Sequence, residues 1–396
     1  MPAHFDSRKE SFRYLTAFLL GVWGCGNSSG SDAAHQPAVC GDPRTAPQLA
    51  LVDTVVLAES DSAYLGNPAA TFTSDGTGRL YVPDMGNNRL LRFSPDGELE
   101  RVFGRPGRGP GEFTGIGYAA LVEPGRVWQS DYRQRRISLF DTTGRPIREI
   151  PVQGRLSSLH QSGATIWAGL TDHGTGFAVA RIDATVLADS LRATMIAIPR
   201  EYDEYPVLSS WDDVRIAAWA DTLVLAFGGV DYLVRYDASG TPMDTAWVPA
   251  CRRQGSPREI LERGFKTRAR SAAEQDAMDQ IVTRISGLLG MWRLSDGHFL
   301  VWYQDPRWEP GRILRSTAYL SVLSPDLSRA CVDARLSAPG SGRTHLTMAD
   351  DQVLLLDQVV VQQGASPQVR SVVRRYSIDI GACEWLETTK PAEGVK

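Results

Sequence analysis

What most constrains this chain is a unit of four short β-prone pieces that recurs along it. From Asn67 to Gly104 the sequence reads NPAATFTSDGTGRLYVPDMGNNRLLRFSPDGELERVFG. Its pieces at 69–73, 79–83, 88–94 and 98–103 are separated by SDGTG, DMGN and SPDG. Those separators are turn chemistry, in which Gly or Asn supplies positive φ and Asp caps its own turn. The segment 117–150 repeats the order, with YAALVEPGRVWQSDYRQRRISLFDTTGRPIREI following Gly117. Leu80-Tyr81 matches Val127-Trp128, Asp84 matches Asp131, and Arg89-Leu90 matches Arg136-Ile137. Phe93 matches Phe140, and the hairpin Pro95-Asp96-Gly97 matches Thr142-Thr143-Gly144. Weaker echoes follow at 156–195, 213–250, 288–336 and 344–386. A single four-stranded sheet cannot bury both of its faces, so such units must pack on one another.

The core Val82-x-Asp84-x-x-Asn87-x-Arg89-Leu90-x-x-Phe93 with its Asp-Gly hairpin resembles the NHL repeat. The linker GRPGRGPGEFTG (104–115) is similar to the Gly-rich connection between NHL blades. That resemblance implies an all-β, six-bladed β-propeller over 48–390, whose blades close into a ring with short, protected edges. The strand-like segment Leu49–Leu57 is expected to complete the last blade and close the ring. One stretch breaks the β pattern between units four and five. Ser256-Pro257-Arg258-Glu259 has the form of a capping box with Pro in the first turn. Met278, Ile281, Val282 and Ile285 then share one face at helical spacing. A short helical insertion at 255–285, packed on one propeller face, is expected.

The N-terminus speaks to compartment. Arg8, Lys9 and Arg13 flank an apolar run from Tyr14 to Gly24, too short to span a bilayer, which needs roughly 20 residues. Basic flanks and a short apolar run form a secretory signal over 1–24. Val22-Trp23-Gly24-Cys25 resembles a bacterial lipobox, with Cys25 as the lipidated residue and 25–47 as a flexible tether. Gly26 follows Cys25, so the Asp that retains such lipoproteins at the inner membrane is not there and an outer-membrane location is favoured. Removing residues 1–24 takes three of 42 basic and two of 46 acidic residues, leaving a net charge of −5. A mildly acidic chain lacks the basic stripe that nucleic-acid binding wants. Cys40, Cys251, Cys331 and Cys383 permit two disulfides in three possible connectivities.

Propeller sites lie where the central channel opens, among the loops that lead into each inner strand and join the second and third strands. On that geometry Tyr118, Arg155, Arg215, Arg343 and His345 come from the inner strands, and Asp84, Asp131, Asp172 and Asp305 from the other loops. Tyr118, Asp131, Arg215, Arg343 and His345 are the candidate ligand-binding residues, suited to a small anionic ligand or a protein partner. In NHL-like blades the Asp and the following Arg also tie their loop together, which gives Asp84–Arg89 and Asp131–Arg136 a structural reading. A metal-dependent lyase or lactonase on the same fold is the alternative. A three-imidazole zinc site needs converging His residues, and of six His only His345 is placed at the mouth. His160 aligns with Leu121, towards the other end of its strand. Calcium needs hard oxygen ligands, and beyond residue 32 the only Asn residues are Asn67, Asn87 and Asn88. The reading is therefore a membrane-anchored binding or scaffold module with no cofactor named.

Overall fold

The computed structural model describes residues 43–388 except 60–63, 184–191, 196–213, 249–286, 337–344 and several breaks of one to three residues. Cys25, Cys40, Cys251, Arg343 and the helical insertion expected at 255–285 fall outside the described residues. Among the described residues helix is confined to a 3-10 turn at Pro43–Thr45, followed by β1 (Gln48–Val56). No described helix is long and apolar enough to cross a membrane.

Six antiparallel sheets follow, each numbered outward from the centre. Blade 1 holds β2 (Thr73–Ser74), β3 (Leu80–Asp84), β4 (Arg89–Phe93) and β5 (Leu99–Phe103). The Gly-rich linker forms a short parallel pair, β6 (Arg105–Pro106) and β7 (Glu112–Phe113). Blade 2 holds β8 (Ile116–Glu123), β9 (Arg126–Asp131), β10 (Arg136–Asp141) and β11 (Pro146–Pro151). Blade 3 holds β12 (Arg155–Ser162), β13 (Thr165–Asp172), β14 (Gly176–Asp183) and β15 (Arg192–Met195). Blade 4 holds β16 (Val214–Trp219), β17 (Thr222–Phe227), β18 (Tyr232–Asp237) and β19 (Pro242–Trp247). Blade 5 holds β20 (Gly287–Arg293), β21 (Phe299–Glu309), β22 (Arg312–Leu323) and β23 (Arg329–Leu336). Blade 6 holds β24 (His345–Ala349), β25 (Gln352–Gln363) and β26 (Ser366–Asp379), with β1 as its outermost strand.

Side-chain alternation explains why these sheets stack as a ring. In β3, Leu80 and Val82 enter the seam with blade 6, while Tyr81 between them enters the seam with blade 2. A strand buried on both faces reads as a nearly continuous apolar run, as LYV does here. The same division recurs around the molecule, and six separate apolar cores each fill one seam between consecutive blades. In the seam between blades 1 and 2, Phe103 meets Phe140 edge-on with ring centroids 5.9 Å apart. Full burial of one such side chain stabilises by about 1.5–3 kcal/mol, so no seam is dispensable. Trp302 and Tyr303 of blade 5 are both fully buried, Trp302 stacked on Trp292 and Tyr303 on Tyr319.

Both ends of the chain close the ring. β1 pairs antiparallel with β26 from Gln48↔Asp379 to Val56↔Val372, so blade 6 is built from the two termini. After β26 the chain crosses to blade 5, where Cys383 is disulfide-bonded to Cys331 of β23. A short β27 (Leu386–Glu387) then adds to β23 as a fifth strand. Thr388 goes on to bridge blades, its N–H donating to Ser328 O at 3.0 Å and its carbonyl accepting from Trp247 N of blade 4 at 2.8 Å. Thr45, just before β1, joins this strap by accepting from Glu384 N at 2.9 Å.

Candidate binding site in the central channel

The inner strands β2, β8, β12, β16, β20 and β24 line the channel, each touching the inner strand of the next blade. Bulges interrupt three of them. Register shifts occur between Ile116 and Ala120 in β8, Leu156 and Ser158 in β12, and Leu288 and Gly290 in β20. A bulge adds one residue and re-aims the side chains beside it. At the β12 bulge Ser157 and Ser158 both reach Val214 O of blade 4, at 3.0 and 2.7 Å.

Within the channel is a cavity of about 270 Å³. Its polar lining comes from Thr71, Thr73, Ser157, Ser158, His160, Gln161, Arg215 and Thr347, and its apolar lining includes Leu121, Met291, Trp292 and Met348. Arg215 is buried, and its guanidinium donates to Ser157 O across the seam between blades 3 and 4 at 2.6 Å. His160 Nε2 lies 3.0 Å from Ala218 O of the same neighbour. Burial holds its pKa below the usual imidazole value, and the positive charge of Arg293 acts in the same direction. His160 is therefore neutral at pH 7. In register His160 faces Trp167 as Leu121 faces Trp128, so both sit near the hairpin end of their strands. Arg215, opposite Ala226, sits near the other end. The cavity thus extends from the mouth side deep into the channel.

Among the described candidate ligand residues, Arg215 lines this cavity. His345 is buried in the seam between blades 6 and 1, its Nδ1 2.6 Å from Ala69 O, and does not line it. Asp131 is consumed by its own loop. One carboxylate oxygen accepts from Arg133 N and Gln134 N at 3.0 and 2.9 Å. The other accepts from Thr114 N at 2.8 Å and Gln134 Nε2 at 2.7 Å. Fully buried and holding four hydrogen bonds, that carboxylate is a loop clamp. Tyr118 lies in β8, with its side chain outside the described set. His160 does lie towards the far end of its strand, as its alignment with Leu121 implied, but the cavity reaches that depth and takes in Gln161 and the two serines as well.

The NHL-type loops are held in related ways. Asp84 accepts from Asn67 N, Asn87 Nδ2 and Arg89 Nε, the last at 3.2 Å. In blade 2 the expected Asp131–Arg136 tie is replaced. Arg136 pairs with Glu149 and donates to Gly109 O at 2.9 Å and Glu112 O at 2.6 Å. Among the described residues, no three His, Cys, Asp or Glu side chains converge as a metal-binding group.

No known protein-family profile matches the chain. NHL repeat-containing protein 3 of Homo sapiens is 37% identical over 78 residues, 19% of this chain and 22% of that protein. The mouse counterpart is 36% identical over the same length. The chain therefore spans less than a quarter of the length of the curated relatives it matches. Among solved structures, a DUF4221 family member from Bacteroides vulgatus superposes with a TM-score of 0.57 at 11% identity. The superposition covers 85% of this chain and 99% of that one. A candidate exported protein from Bacteroides fragilis gives 0.54 at 11% identity, covering 84% and 96%. At such identities the likeness is one of fold: an NHL-repeat-like, six-bladed β-propeller.

Proposed function

We propose that the protein is an exported, lipid-anchored binding module that holds a small polar or anionic ligand in the channel of its propeller. The observation that carries this reading is the cavity lining, where hydroxyls, an amide, a neutral imidazole and the Arg215 guanidinium meet an apolar floor. Ligand sites have this composition, with a few placed polar groups in a mainly apolar wall. Among the described residues the lining contains no carboxylate, and Arg215 is the cationic side chain in it, so an anionic ligand is the reading favoured. A volume near 270 Å³ suits a small molecule, since drug-sized sites begin at about 300 Å³. Export is supported by the signal-like N-terminus and by the resemblance to a candidate exported propeller. Anchoring rests on the lipobox-like Val22-Trp23-Gly24-Cys25. If Cys25 carries lipid, Cys25→Ser releases the protein from the membrane fraction, and unchanged partitioning refutes the anchor.

Bromide serves as the anion probe for the channel. Crystals soaked in sodium bromide are expected to show an anomalous peak beside Arg215 that vanishes in Arg215→Met. A channel without bromide sinks the anionic-ligand reading. A stoichiometric metal ion held there by three or more side chains replaces it with the metal-dependent lyase or lactonase.

A further inference from the structure

We infer that the arginine-rich surface on the mouth face between blades 1 and 2 is a docking site for a short acidic segment of a partner protein. Arg105 and Arg108 belong to the linker between these blades, and Arg133 and Arg135 to the β9–β10 loop. All four are exposed, Arg105 with 79% of its side chain open to solvent. Hydrogen bonds fuse the two loops into one surface. Gln134 Nε2 donates to Gly107 O at 3.3 Å and Glu112 O at 3.1 Å, and Arg136 donates to Gly109 O and Glu112 O. Beneath them Glu149 accepts from Gly111 N at 3.0 Å. Arg133 and Tyr132 lie over the start of β8, where a Cβ added to Gly115 would come within 2.6 Å of Arg133 Cγ and 2.9 Å of the Tyr132 ring. The Arg133 guanidinium is also 5.7 Å from the centre of the Tyr132 ring.

The nearby carboxylates neutralise this surface only in part. Asp131 is buried beneath it with four hydrogen bonds. Glu112 is held below the usual carboxylate range, first by the Gly109 N–H and then by Arg105. It therefore stays charged, and with Asp131 it leaves a formal surplus of two positive charges on the four arginines, since Glu149 is paired with Arg136.

Three features choose the partner. Guanidinium forks match carboxylates in bidentate geometry, and Arg beside Tyr is the composition of protein-interface hot spots. A surface fixed in advance loses little entropy on binding. The chain as a whole carries −4. An extended polyanion or an anionic membrane would overrun the patch and meet that negative remainder, whereas a short acidic segment would not. Tyr132 is the aromatic of the patch and is 37% exposed, too little apolar surface for membrane insertion, which rests on buried apolar area.

The test is fluorescence anisotropy of fluorescein-labelled octaglutamate titrated with the folded, exported chain in 50 mM salt. Saturable binding is expected, weakening several-fold between 50 and 300 mM salt as screening shortens the reach of the charges. Arg133→Gln combined with Arg135→Gln is expected to weaken it about tenfold with an unchanged melting temperature. Arg145→Gln, an exposed arginine at the opposite end of blade 2, leaves it unchanged. Absence of saturable binding, or equal binding by the double variant, overturns the inference. So does patch-dependent binding to phosphatidylglycerol vesicles with none to octaglutamate, which assigns the surface to the membrane. Because the channel site and Arg215 play no part, failure of the bromide experiment leaves this result standing, and the converse holds.

Discussion

The strap that crosses blade 5 can be cut by replacing Cys331 and Cys383 together with alanine. The disulfide joins positions 52 residues apart. Closing a loop of that length removes about 14 cal/mol/K from the entropy of the denatured chain, so its loss costs about 4 kcal/mol at 25 °C. Cys331 is fully buried, and its truncation leaves a small void that adds up to about 1 kcal/mol. Unfolding entropy near 60 °C is about 2.1 cal/mol/K per residue, roughly 0.7 kcal/mol/K for a propeller of some 350 residues. The melting temperature should therefore fall by about 6 °C in differential scanning calorimetry. The effect should also be local. A Glu-specific protease is expected to cleave at Glu384 and Glu387 in the variant well before it cuts blade 2, because the strap opens without the rest of the ring. A drop below 2 °C, with no gain in strap cleavage, refutes the claim that the disulfide holds the chain end on the propeller.

Gly97 has φ 88°, and a Cβ there would meet Val56 O of the closing strand at 2.3 Å, whereas the matching Gly144 has φ 87° but no atom nearer than 3.4 Å. Gly97→Ala should thus cost about 2–4 kcal/mol in urea unfolding and Gly144→Ala about 1 kcal/mol, since only the first adds a backbone clash to the φ strain. Asp131→Ala strands the amides of Thr114, Arg133 and Gln134 and should cost about 3 kcal/mol, with bromide in the channel undisturbed. Burial lowers the folded-state pKa of His160 from 6.5, so the unfolded chain binds the proton first and this contribution to stability is lost as pH falls below that value. His160→Gln should flatten the decline in melting temperature between pH 7 and 5. Asp326 is held at about 2 by the Ser324 and Ser328 hydroxyls and the Ser328 N–H. Its contribution is present above pH 3.8 and lost towards pH 2, so Asp326→Asn should show a shallower fall in melting temperature than the wild type across that window.

The ring was legible because its signals are local. LYVPD and RVWQSD read as strands buried on both faces, and SPDG and DTTG as hairpins, without knowledge of any partner blade. Closure by β1 followed from arithmetic, since an extra strand before the first unit had only blade 6 left to complete. The disulfide was not legible, because four cysteines allow three pairings and only the path of the chain after β26 brings Cys383 to Cys331. Arg136 was assigned to Asp131 by analogy with Arg89 and Asp84. Gln134 occupies that carboxylate instead, and Glu149 on β11 offers Arg136 another.

The channel was harder to read, for a reason that bears on function. In blades 1 and 2, where the repeat is clearest, the recurring polar residues Asp84, Arg89, Asp131 and Arg136 are all spent on holding loops. The cavity takes Ser157, Ser158, His160, Gln161 and Arg215 from blades 3 and 4, where the repeat has faded, and its other polar lining is three threonines of blades 1 and 6. A residue that must clamp a loop cannot also face a ligand, and a strand that must re-aim two serines needs a bulge that breaks the repeat. Bulges in β8, β12 and β20 shift the alternation, so counting outward from a repeat template sends side chains to the wrong face. In this propeller a strong match to the repeat marks where the sequence is committed to architecture. Five of the eight polar lining residues come from blades 3 and 4, where the match to the repeat is weak, which makes these blades the first place to test the proposed channel site.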